Sequence, residues 1–362
     1  MSKKIIKISK FTVFSLILFA SSVTVLSISL KNKVFASFFN EKISSTIRTI
    51  LSSVSNLVPF SIAELLVFLL PIIITLVTIA TIKNKHVSVF DHLSRLASFF
   101  LIFISLYIFS FGTGYYTKDY YDRFDLNKTN INLSDLKETA EILVLYLNNA
   151  SDVISYDKYN FSIMPYDLAT LDKKINTEYN KLYKKYNFLD TKTSKTKPVL
   201  LSKTLSKAQI TGLYSFFTGE INLNTDFPDY TIPFTVAHEF AHQRGIARED
   251  DANITAFLVC INSDDEYLRY SALINAFEYV ASALYEADSK TFNDIYYKLD
   301  IQIRKELFAY AEFYKKYEDS ISGTISTKFG NAYLMLNGEK EGVQTYGLVV
   351  NLLVSYFMGE FK

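Results

Sequence analysis

The chain of 362 residues is poor in the residues that build disulfide and zinc-ribbon frameworks. It holds one cysteine, Cys260, which excludes an intramolecular disulfide and any zinc site made of several cysteines. Only four histidines are present, so their positions carry more information than usual. Glycine and proline are also scarce, at 11 and 6 residues, and with abundant apolar side chains this argues against a disordered chain.

Net charge is almost absent as well. The chain has 38 lysines and arginines against 37 acidic residues, which gives a formal charge of +1. A nucleic-acid-binding protein normally shows a basic excess or a basic stripe, so we expect no nucleic-acid partner. The mean hydropathy of +0.13 is high for a wholly soluble protein and indicates a membrane-embedded portion.

Three long apolar runs account for this hydropathy, and all of them precede residue 118. The predicted membrane spans are about residues 11–30, 60–82 and 96–117, each near the length needed to cross a bilayer. The first run could instead be a cleaved signal peptide, because lysines precede it. Its length and the two further spans favour retention as an anchor.

Residues 1–117 therefore form a predicted membrane domain whose partner is the lipid bilayer. Between the first two spans, about residues 34–58 repeat apolar side chains at helical spacing, with Arg48 off that stripe. This pattern indicates an amphipathic helix that lies in the interface or packs on the spans, with an ordinary helix buried in a bundle as an equal alternative. No acidic residue precedes Glu41, so the basic N-terminus is expected in the cytoplasm and residues 118–362 outside it.

Residues 118–362 amount to one further domain. Extended structure is expected around 198–201 and 219–224, and within the second segment residues 220–224 alternate apolar and polar as in a half-exposed strand. The stretch 190–197 is expected to be an exposed loop. After residue 233 the pattern is almost wholly helical, including one helix over about 291–317. The predicted fold is mostly α, with a small sheet and a helical C-terminal half in this second domain.

The chemistry-bearing pattern is H-E-x-x-H, which begins at His238. On a helix, residues four apart share a face, so the imidazoles of His238 and His242 can reach one metal ion. Neutral imidazoles suit zinc, and Glu239, about 100° around the helix, can act as general base toward a water on that metal. Pro233 suits the first turn of this helix and Gly245 the position just past its end.

A catalytic zinc site needs a third protein ligand, and the second domain has no third histidine. Glu249, Asp250 and Asp251 follow shortly after the pattern. If a helix begins near Glu249, its carboxylate shares a face with small and apolar residues that can pack on the zinc helix. This favours Glu249, while Asp250 and Asp251 stay open as alternatives and suit a helix N-terminus. Asn253, one turn on, can hydrogen-bond one of the metal-ligating side chains and orient it.

A catalytic site of this kind also needs a residue that stabilises the negative charge on the substrate oxygen. No histidine of this domain is left for that role. Tyrosine or arginine must supply it, and the chain has 26 tyrosines. Tyr270 and Tyr346 are the candidates for this catalytic role.

Several segments resemble the domain of unknown function 3810 family, bacterial membrane-anchored proteins similar to zinc metallopeptidases of the gluzincin type. The resemblance rests on the segments GLYSFFTGEINLN (212–224), PFTVAHEFAHQRG (233–245), AREDDAN (247–253) and GVQTY (342–346).

The resemblance implies a zincin-like metallopeptidase domain that carries a zinc cofactor in a bacterial cell membrane. Carried over by position, it makes His238, His242 and Glu249 the metal ligands and Glu239 the catalytic base. It also implies that a strand before the zinc helix binds extended peptide by edge addition, in which the peptide pairs with the free edge of that strand. The strand residues concerned are Glu220, Ile221, Asn222, Leu223 and Asn224.

The sequence thus predicts a membrane-anchored zinc peptidase that acts on a peptide or protein substrate. A non-catalytic membrane sensor or scaffold that retains a zinc site is the main alternative, although a purely structural site would not need Glu239. Intramembrane proteolysis is a weaker alternative, because His238 lies close to the charged run around Glu249 instead of within an apolar span.

Overall fold

The computed structural model describes most of the chain and is mainly helical, with one three-stranded sheet. The described residues are 9–83, 88–126, 131–190, 192–318, 328, 337 and 346–359. The chain divides into two compact units. The first consists of Met1–Thr117 and Ser215–Glu220, and the second of Lys118–Tyr214 and Ile221–Lys362.

Helices make up the described part of the first unit. They are α1 (Lys10–Ser29), α2 (Lys33–Phe38), a π-helix (Phe39–Ser44), α3 (Ser45–Ser55), α4 (Ile62–Lys83), α5 (Val89–Ser110) and a 3-10 helix (Gly112–Tyr116). The helices α1, α4 and α5 are each long and apolar enough to cross a membrane. The expectation of three such helices is therefore confirmed.

The third of these helices lies earlier in the chain than expected. Its prediction began at residue 96 because that start avoids the charges of Asp91 and Arg95. In the structure α5 begins at Val89, where the Ser88 side chain accepts a hydrogen bond from the Asp91 backbone N–H. Such a cap stabilises the first turn of a helix. The chain leaves the α-helical conformation at Phe111, so the predicted end at 117 was also too late.

Serines are buried where α1 packs on α5. Ser15, Ser22 and Ser29 on α1 recur every seven residues and are at most 1% exposed, as are Ser98 and Ser105 on α5. The Ser22 hydroxyl donates to the Ser105 hydroxyl at 3.4 Å. Small residues let helices approach closely, which is how helices associate in lipid.

The segment expected to be one amphipathic helix (34–58) is instead α2, the π-helix and α3 in succession. Its predicted apolar stripe is largely exposed, as at Ile50 and Val54, while Asn40, Ser44 and Arg48 are buried. The Arg48 guanidinium donates to the side-chain and backbone oxygens of Asn40 at 2.9 and 3.0 Å, and to the Ser110 carbonyl at 2.8 Å. The expectation that Arg48 lies off the buried face was wrong, because these acceptors satisfy its charge inside the unit.

The second unit is built mainly from helices around a core of α10, α11 and α12. Its helices are α6 (Tyr120–Phe124), α7 (Leu133–Ser151), α8 (Leu168–Lys185), α9 (Ser202–Lys207), α10 (Thr231–Gln243), α11 (Glu249–Ile261), α12 (Glu266–Ala287), α13 (Ser289–Tyr296), α14 (Ile301–Glu318) and α15 (Tyr346–Phe357). The helix expected over 291–317 is thus two helices, α13 and α14.

The small sheet has the order β1-β3-β2, with β1 at Thr196–Pro198, β2 at Gly212–Ser215 and β3 at Glu220–Leu223. Strands β1 and β3 are parallel, with Lys197 opposite Asn222. Every residue of β3 is buried, so the half-exposed strand expected there was wrong. Its polar side chains are buried because they have partners inside the fold: Glu220 accepts the N–H groups of Ile62 and Ala63, and Asn222 donates to the Leu213 carbonyl at 3.3 Å.

Candidate metal centre

Helix α10 carries the H-E-x-x-H pattern and ends in a glycine turn. Gly245 has a φ of +93°, in the left-handed region that glycine enters without strain. Its N–H donates to the His242 carbonyl at 2.9 Å, and the Ile246 N–H donates to the Ala241 carbonyl at 3.1 Å. This pair of hydrogen bonds is the Schellman motif. The predicted role of Gly245 as the residue just past the helix end is confirmed.

His238 and His242 lie on one face of α10, with ring centroids 4.6 Å apart. After the Gly245 turn, α11 begins at Glu249, the start that the sequence favoured. Its carboxylate returns to the two imidazoles, with Oε2 3.2 Å from His238 Nε2 and Oε1 3.5 Å from His242 Nε2. The ligand atoms of all three side chains lie within 4.8 Å of one another.

One of these separations matches a tetrahedral metal. Ligand atoms about 2.0–2.1 Å from a zinc ion stand about 3.3 Å apart in tetrahedral geometry. Glu249 Oε2 is 3.2 Å from His238 Nε2, close to that value, whereas His242 Nε2 faces the other oxygen, Oε1, at 3.5 Å. Two nitrogens and one carboxylate oxygen are also a donor set that zinc accepts. The residues present therefore fit a zinc ion.

The His242 ring is oriented by the turn that follows its helix. Its Nδ1 lies 2.8 Å from the Ile246 carbonyl oxygen, which can only accept, so Nδ1 carries the proton and donates. This tautomer leaves the Nε2 lone pair facing Glu249, as metal ligation requires. In His238, Nδ1 is buried and has no hydrogen-bond partner among the described residues.

The three groups create a strong local preference for positive charge. Burial lowers the pKa of His242, but the Glu249 carboxylate outweighs this effect and raises it to about 9. Burial raises the pKa of Glu249, yet His242 and His238 outweigh it and hold this pKa well below its usual range. The carboxylate is therefore ionised, and the space between it and the imidazoles favours a cation, either a proton or a metal ion.

Glu239 is buried beside this group and close to β2. One of its oxygens, Oε2, has no hydrogen-bond partner among the described residues. The backbone N–H of Tyr214 in β2 donates to this carboxylate, and a Cβ added to Gly212 would lie 2.8 Å from the Glu239 Cγ. Burial raises the pKa of Glu239 above its usual value, while His238 and His242 only partly oppose the rise. A carboxylate of raised pKa with one oxygen unpartnered among the described residues suits a proton acceptor.

Asp250 and Asp251, the alternatives for the third ligand, have other surroundings. The Asp251 carboxylate forms an ion pair with Arg248 and accepts the Tyr120 backbone N–H at 3.3 Å. Asp250 is buried, and burial followed by repulsion from Asp251 raises its pKa to about 7. Within the described part of the chain, it is Glu249 that joins the histidines.

Residues 39–354 match a protein family described as protein of unknown function (DUF3810). The chain belongs to this family. The match begins in the first unit and extends into α15, so it includes both histidines, Glu239 and Glu249. Comparison of this DUF3810 protein with curated proteins and with solved structures finds no match.

A buried arginine that the sequence analysis missed fixes the end of α10 in this DUF3810 protein. The Arg244 guanidinium lies 3.9 Å from the centre of the Tyr179 ring and donates to the Ser194 hydroxyl at 2.8 Å and to the Lys192 carbonyl at 2.5 Å. The Tyr179 hydroxyl in turn donates to the Ala237 carbonyl at 2.6 Å, one residue before His238. A charged residue directly after an apolar helix gives no sign in the sequence that it will be buried.

The described residues of the segment 190–197, expected to be an exposed loop, therefore support α10. Ser194 is 1% exposed, and Lys197 is 3% exposed. The Ser194 hydroxyl also donates to the Gln243 side chain at 2.5 Å. The expectation was wrong because its polar groups have buried partners: Ser194 bonds Gln243 of α10, the Lys192 carbonyl accepts from Arg244, and the Thr196 hydroxyl donates to Asp172 of α8 at 2.6 Å.

The remaining candidate residues lie in different surroundings. Asn253 is half-buried one turn after Glu249 on α11. Tyr270 is fully buried, and its hydroxyl donates to Glu306 and accepts from the Tyr156 hydroxyl at 3.2 Å. The side chain of Tyr346 lies outside the described residues.

The predicted substrate strand needs a correction. Edge addition requires an unpaired strand edge, and β3 has β1 on one side and β2 on the other. Its polar side chains are also engaged. Glu220 accepts the N–H groups of Ile62 and Ala63 at 3.0 and 2.7 Å, and Asn224 donates to the Ser206 hydroxyl at 3.0 Å. Residues Glu220, Ile221, Asn222 and Leu223 of β3, with Asn224 after it, therefore cannot bind peptide by edge addition.

Proposed function

We propose that this DUF3810 protein is a membrane-anchored, zinc-dependent peptidase. The observation that carries the proposal is the convergence of His238, His242 and Glu249 beside Glu239, whose Oε2 is buried and has no partner among the described residues. Bound zinc would supply a Lewis acid that polarises a peptide carbonyl and lowers the pKa of a water.

The protein groups have separate tasks in this proposal. Glu239 accepts the proton of the attacking water at Oε2 and passes it to the leaving amine, which its raised pKa assists. The Ile246 carbonyl keeps the His242 ring in the ligating tautomer. Strand β2 takes the substrate role expected of β3, because β2 lies at an edge of the sheet and contacts Glu239 through Tyr214 and Gly212.

Two observations weigh against the alternatives. A closed structural zinc site has four protein ligands, whereas the cluster found among the described residues has three. Intramembrane proteolysis would need His238 within a span. The described helices that are long and apolar enough to cross a membrane are α1, α4 and α5, and His238 lies on α10.

The test compares the purified wild-type chain with Glu239→Gln, in zinc content and in hydrolysis of extended peptides. We expect the variant to keep its zinc, since Glu239 is not a ligand, and to lose hydrolysis by at least about 100-fold. The exposed Glu138→Gln is the matched control and should hydrolyse peptides like the wild type. Undiminished hydrolysis in Glu239→Gln would exclude this base, and a wild-type chain that holds zinc but cleaves no peptide would favour the scaffold.

We also propose that the second unit lies outside the cytoplasm of a bacterial cell. Two observations support this orientation. Every charged residue before Glu41 is basic, and the number of span-length helices among the described residues is odd. In intact cells whose outer layer is permeable to protease, we expect the second unit to be digested. Complete protection until the inner membrane is broken would reverse the orientation.

A further inference from the structure

A groove lies in the second unit between α14 and the turn at residues 156–162. Its volume is 510 Å³, within the range of sites that bind small ligands or a few side chains. Tyr159 and Phe161 line one wall, and Phe308 and Phe313 of α14 line the other. None of its lining residues belongs to the candidate metal centre, so the proposed peptidase activity does not account for it.

The two walls are held in place by two carboxylates, Asp157 and Glu306. Asp157 accepts the backbone N–H groups of Tyr159 and Phe161, both at 2.8 Å, which fixes the turn. Glu306 is fully buried on the inner side of α14 and accepts the Ser162 N–H at 2.7 Å. The Tyr270 hydroxyl donates to the other oxygen of Glu306. The groove is therefore preformed, which lowers the ordering cost of binding.

The groove carries cations for which the described part of the chain shows no acidic partner. Arg304, Lys305 and Lys316 line it against a single carboxylate, Glu312. The described ion pairs of the second unit involve other lysines and arginines, such as Lys298 with Glu141 at 2.8 Å. An excess of unpaired positive charge in a concave site favours a ligand that brings carboxylates.

Arg304 is also oriented for such a ligand. Its Nε donates to the Leu299 carbonyl at 3.1 Å, which fixes the side chain and leaves the two terminal nitrogens for a carboxylate. Large apolar side chains line the same groove and are exposed: Phe308 is 66% exposed, Tyr159 63% and Ile301 57%. Exposed aromatic rings next to arginine are typical of the residues that dominate binding energy in protein interfaces.

We propose that this groove is a second polypeptide-binding site, which takes a segment with carboxylates next to an aromatic or aliphatic side chain. The carboxylates pair with Arg304 and Lys316, and the apolar side chain packs on Phe308. Two preformed walls suit a chain that lies between them better than a flat lipid surface, which would need a convex apolar face. The proposal is independent of the metal centre and of peptide hydrolysis.

The test measures peptide binding to the full chain in phosphatidylcholine nanodiscs, in the Glu239→Gln background so that no peptide is consumed. The probes are two short fluorescent peptides of alternating sequence, one of glutamate and phenylalanine and one of lysine and phenylalanine. We expect the glutamate peptide to bind at least about tenfold tighter. The double variant Arg304→Gln, Lys316→Gln should remove this preference, while Lys184→Gln, Lys290→Gln, which removes two exposed charges elsewhere, should keep it.

A second variant distinguishes binding in the groove from a nonspecific effect of positive charge. Phe308→Ala truncates an exposed ring, so it should leave the unfolding midpoint unchanged while it weakens the glutamate peptide. Equal binding of both peptides, or unchanged binding in the Arg304 and Lys316 variant, would overturn the proposal. The proposal would also be overturned if neither peptide bound and phosphatidylglycerol vesicles bound the wild type but not the Arg304 and Lys316 variant.

Discussion

In the first unit, serines of α1 and α5 are buried, while Phe14 and Ile17 of α1 are 56% and 62% exposed. In the second unit, Leu143 and Leu147 of α7 are fully buried, and lysines and glutamates lie outside. Both units bury a helix face and leave the opposite face exposed, but the chemistry of the two faces is exchanged. A unit with apolar side chains outside and hydroxyls inside fits lipid surroundings, and the second unit fits water.

The units also differ in how they hold an ionisable side chain away from water. Arg48 in the first unit is buried and donates to the Asn40 side chain and backbone and to the Ser110 carbonyl. Glu278 in the second unit is half-buried, and its hydrogen bond among the described residues is a long one, from the Tyr230 hydroxyl at 3.5 Å. Good partners hold a buried charge, whereas a poorly partnered carboxyl keeps its proton, so removing Arg48 should damage the fold and Glu278→Gln should not.

The largest expected effect comes from Arg48→Leu. The substitution leaves the Asn40 and Ser110 oxygens buried without their donor, so the free energy of unfolding should fall by about 3–5 kcal/mol. Unfolding in mixed micelles measures it. The control is Lys42→Leu, which removes an exposed cation nearby and should change this free energy little. Equal losses in both variants would mean that Arg48 acts only through net charge.

A charge placed on the exposed apolar surfaces tests the difference in surroundings. Ile17 and Leu145 are similarly exposed, at 62% and 58%. Ile17→Lys should cost about 3 kcal/mol in membrane insertion, because it puts an ammonium group within a span. Leu145→Lys on α7 should be neutral to within about 0.5 kcal/mol of stability. Glycosylation-tag insertion assays and unfolding curves measure the two, and normal insertion of Ile17→Lys would contradict a lipid-facing α1.

Stability of the second unit should decline as pH rises toward 8. Burial, aided by repulsion from Glu306, raises the pKa of Glu278 to about 8, whereas the Tyr230 hydroxyl lowers it only partly. Above its ordinary pKa the unfolded chain releases this proton while the folded chain keeps it. Between about pH 7 and pH 8 the loss should be about 1 kcal/mol.

The measurement is the free energy of unfolding as a function of pH. Glu278→Gln should abolish this part of the pH dependence, and Glu286→Gln, an exposed position on the same helix, should preserve it. A pH slope that persists in Glu278→Gln would assign it to another group.

The smallest effect is expected at the serines between α1 and α5. Ser22→Ala removes the hydroxyl that donates to Ser105 at 3.4 Å, which should cost about 0.6 kcal/mol of unfolding free energy in micelles. Ser21→Ala is the neighbouring control, since that hydroxyl is exposed and donates to the Ile17 carbonyl of its own helix. A larger loss at Ser21 than at Ser22 would contradict the packing described for α1.

Local sequence signals predicted much of the candidate site. The spacing of His238 and His242, the glycine at 245 and the start of a helix at Glu249 are short-range features, and the structure has each of them where expected. A helix period and a turn residue determine such geometry over a few residues.

Features set by long-range pairing could not be predicted in this way. The central place of β3 depends on β1, more than twenty residues earlier, so the chain near Glu220 does not reveal it. The burial of Arg48 was missed for another reason. Apolar periodicity identifies the buried face in water, but in a lipid-facing unit the same stripe marks the outside.

The Gly245 turn has a consequence for which residues near the candidate metal centre can vary. Ile246 orients His242 through its backbone carbonyl, so substitutions of the Ile246 side chain leave that hydrogen bond available. Gly245 has no such freedom, because its φ of +93° is strained for any residue with a side chain. Selection on ligand geometry at this centre should therefore leave a sharp boundary in the family's sequence variation, with 245 invariant and 246 variable.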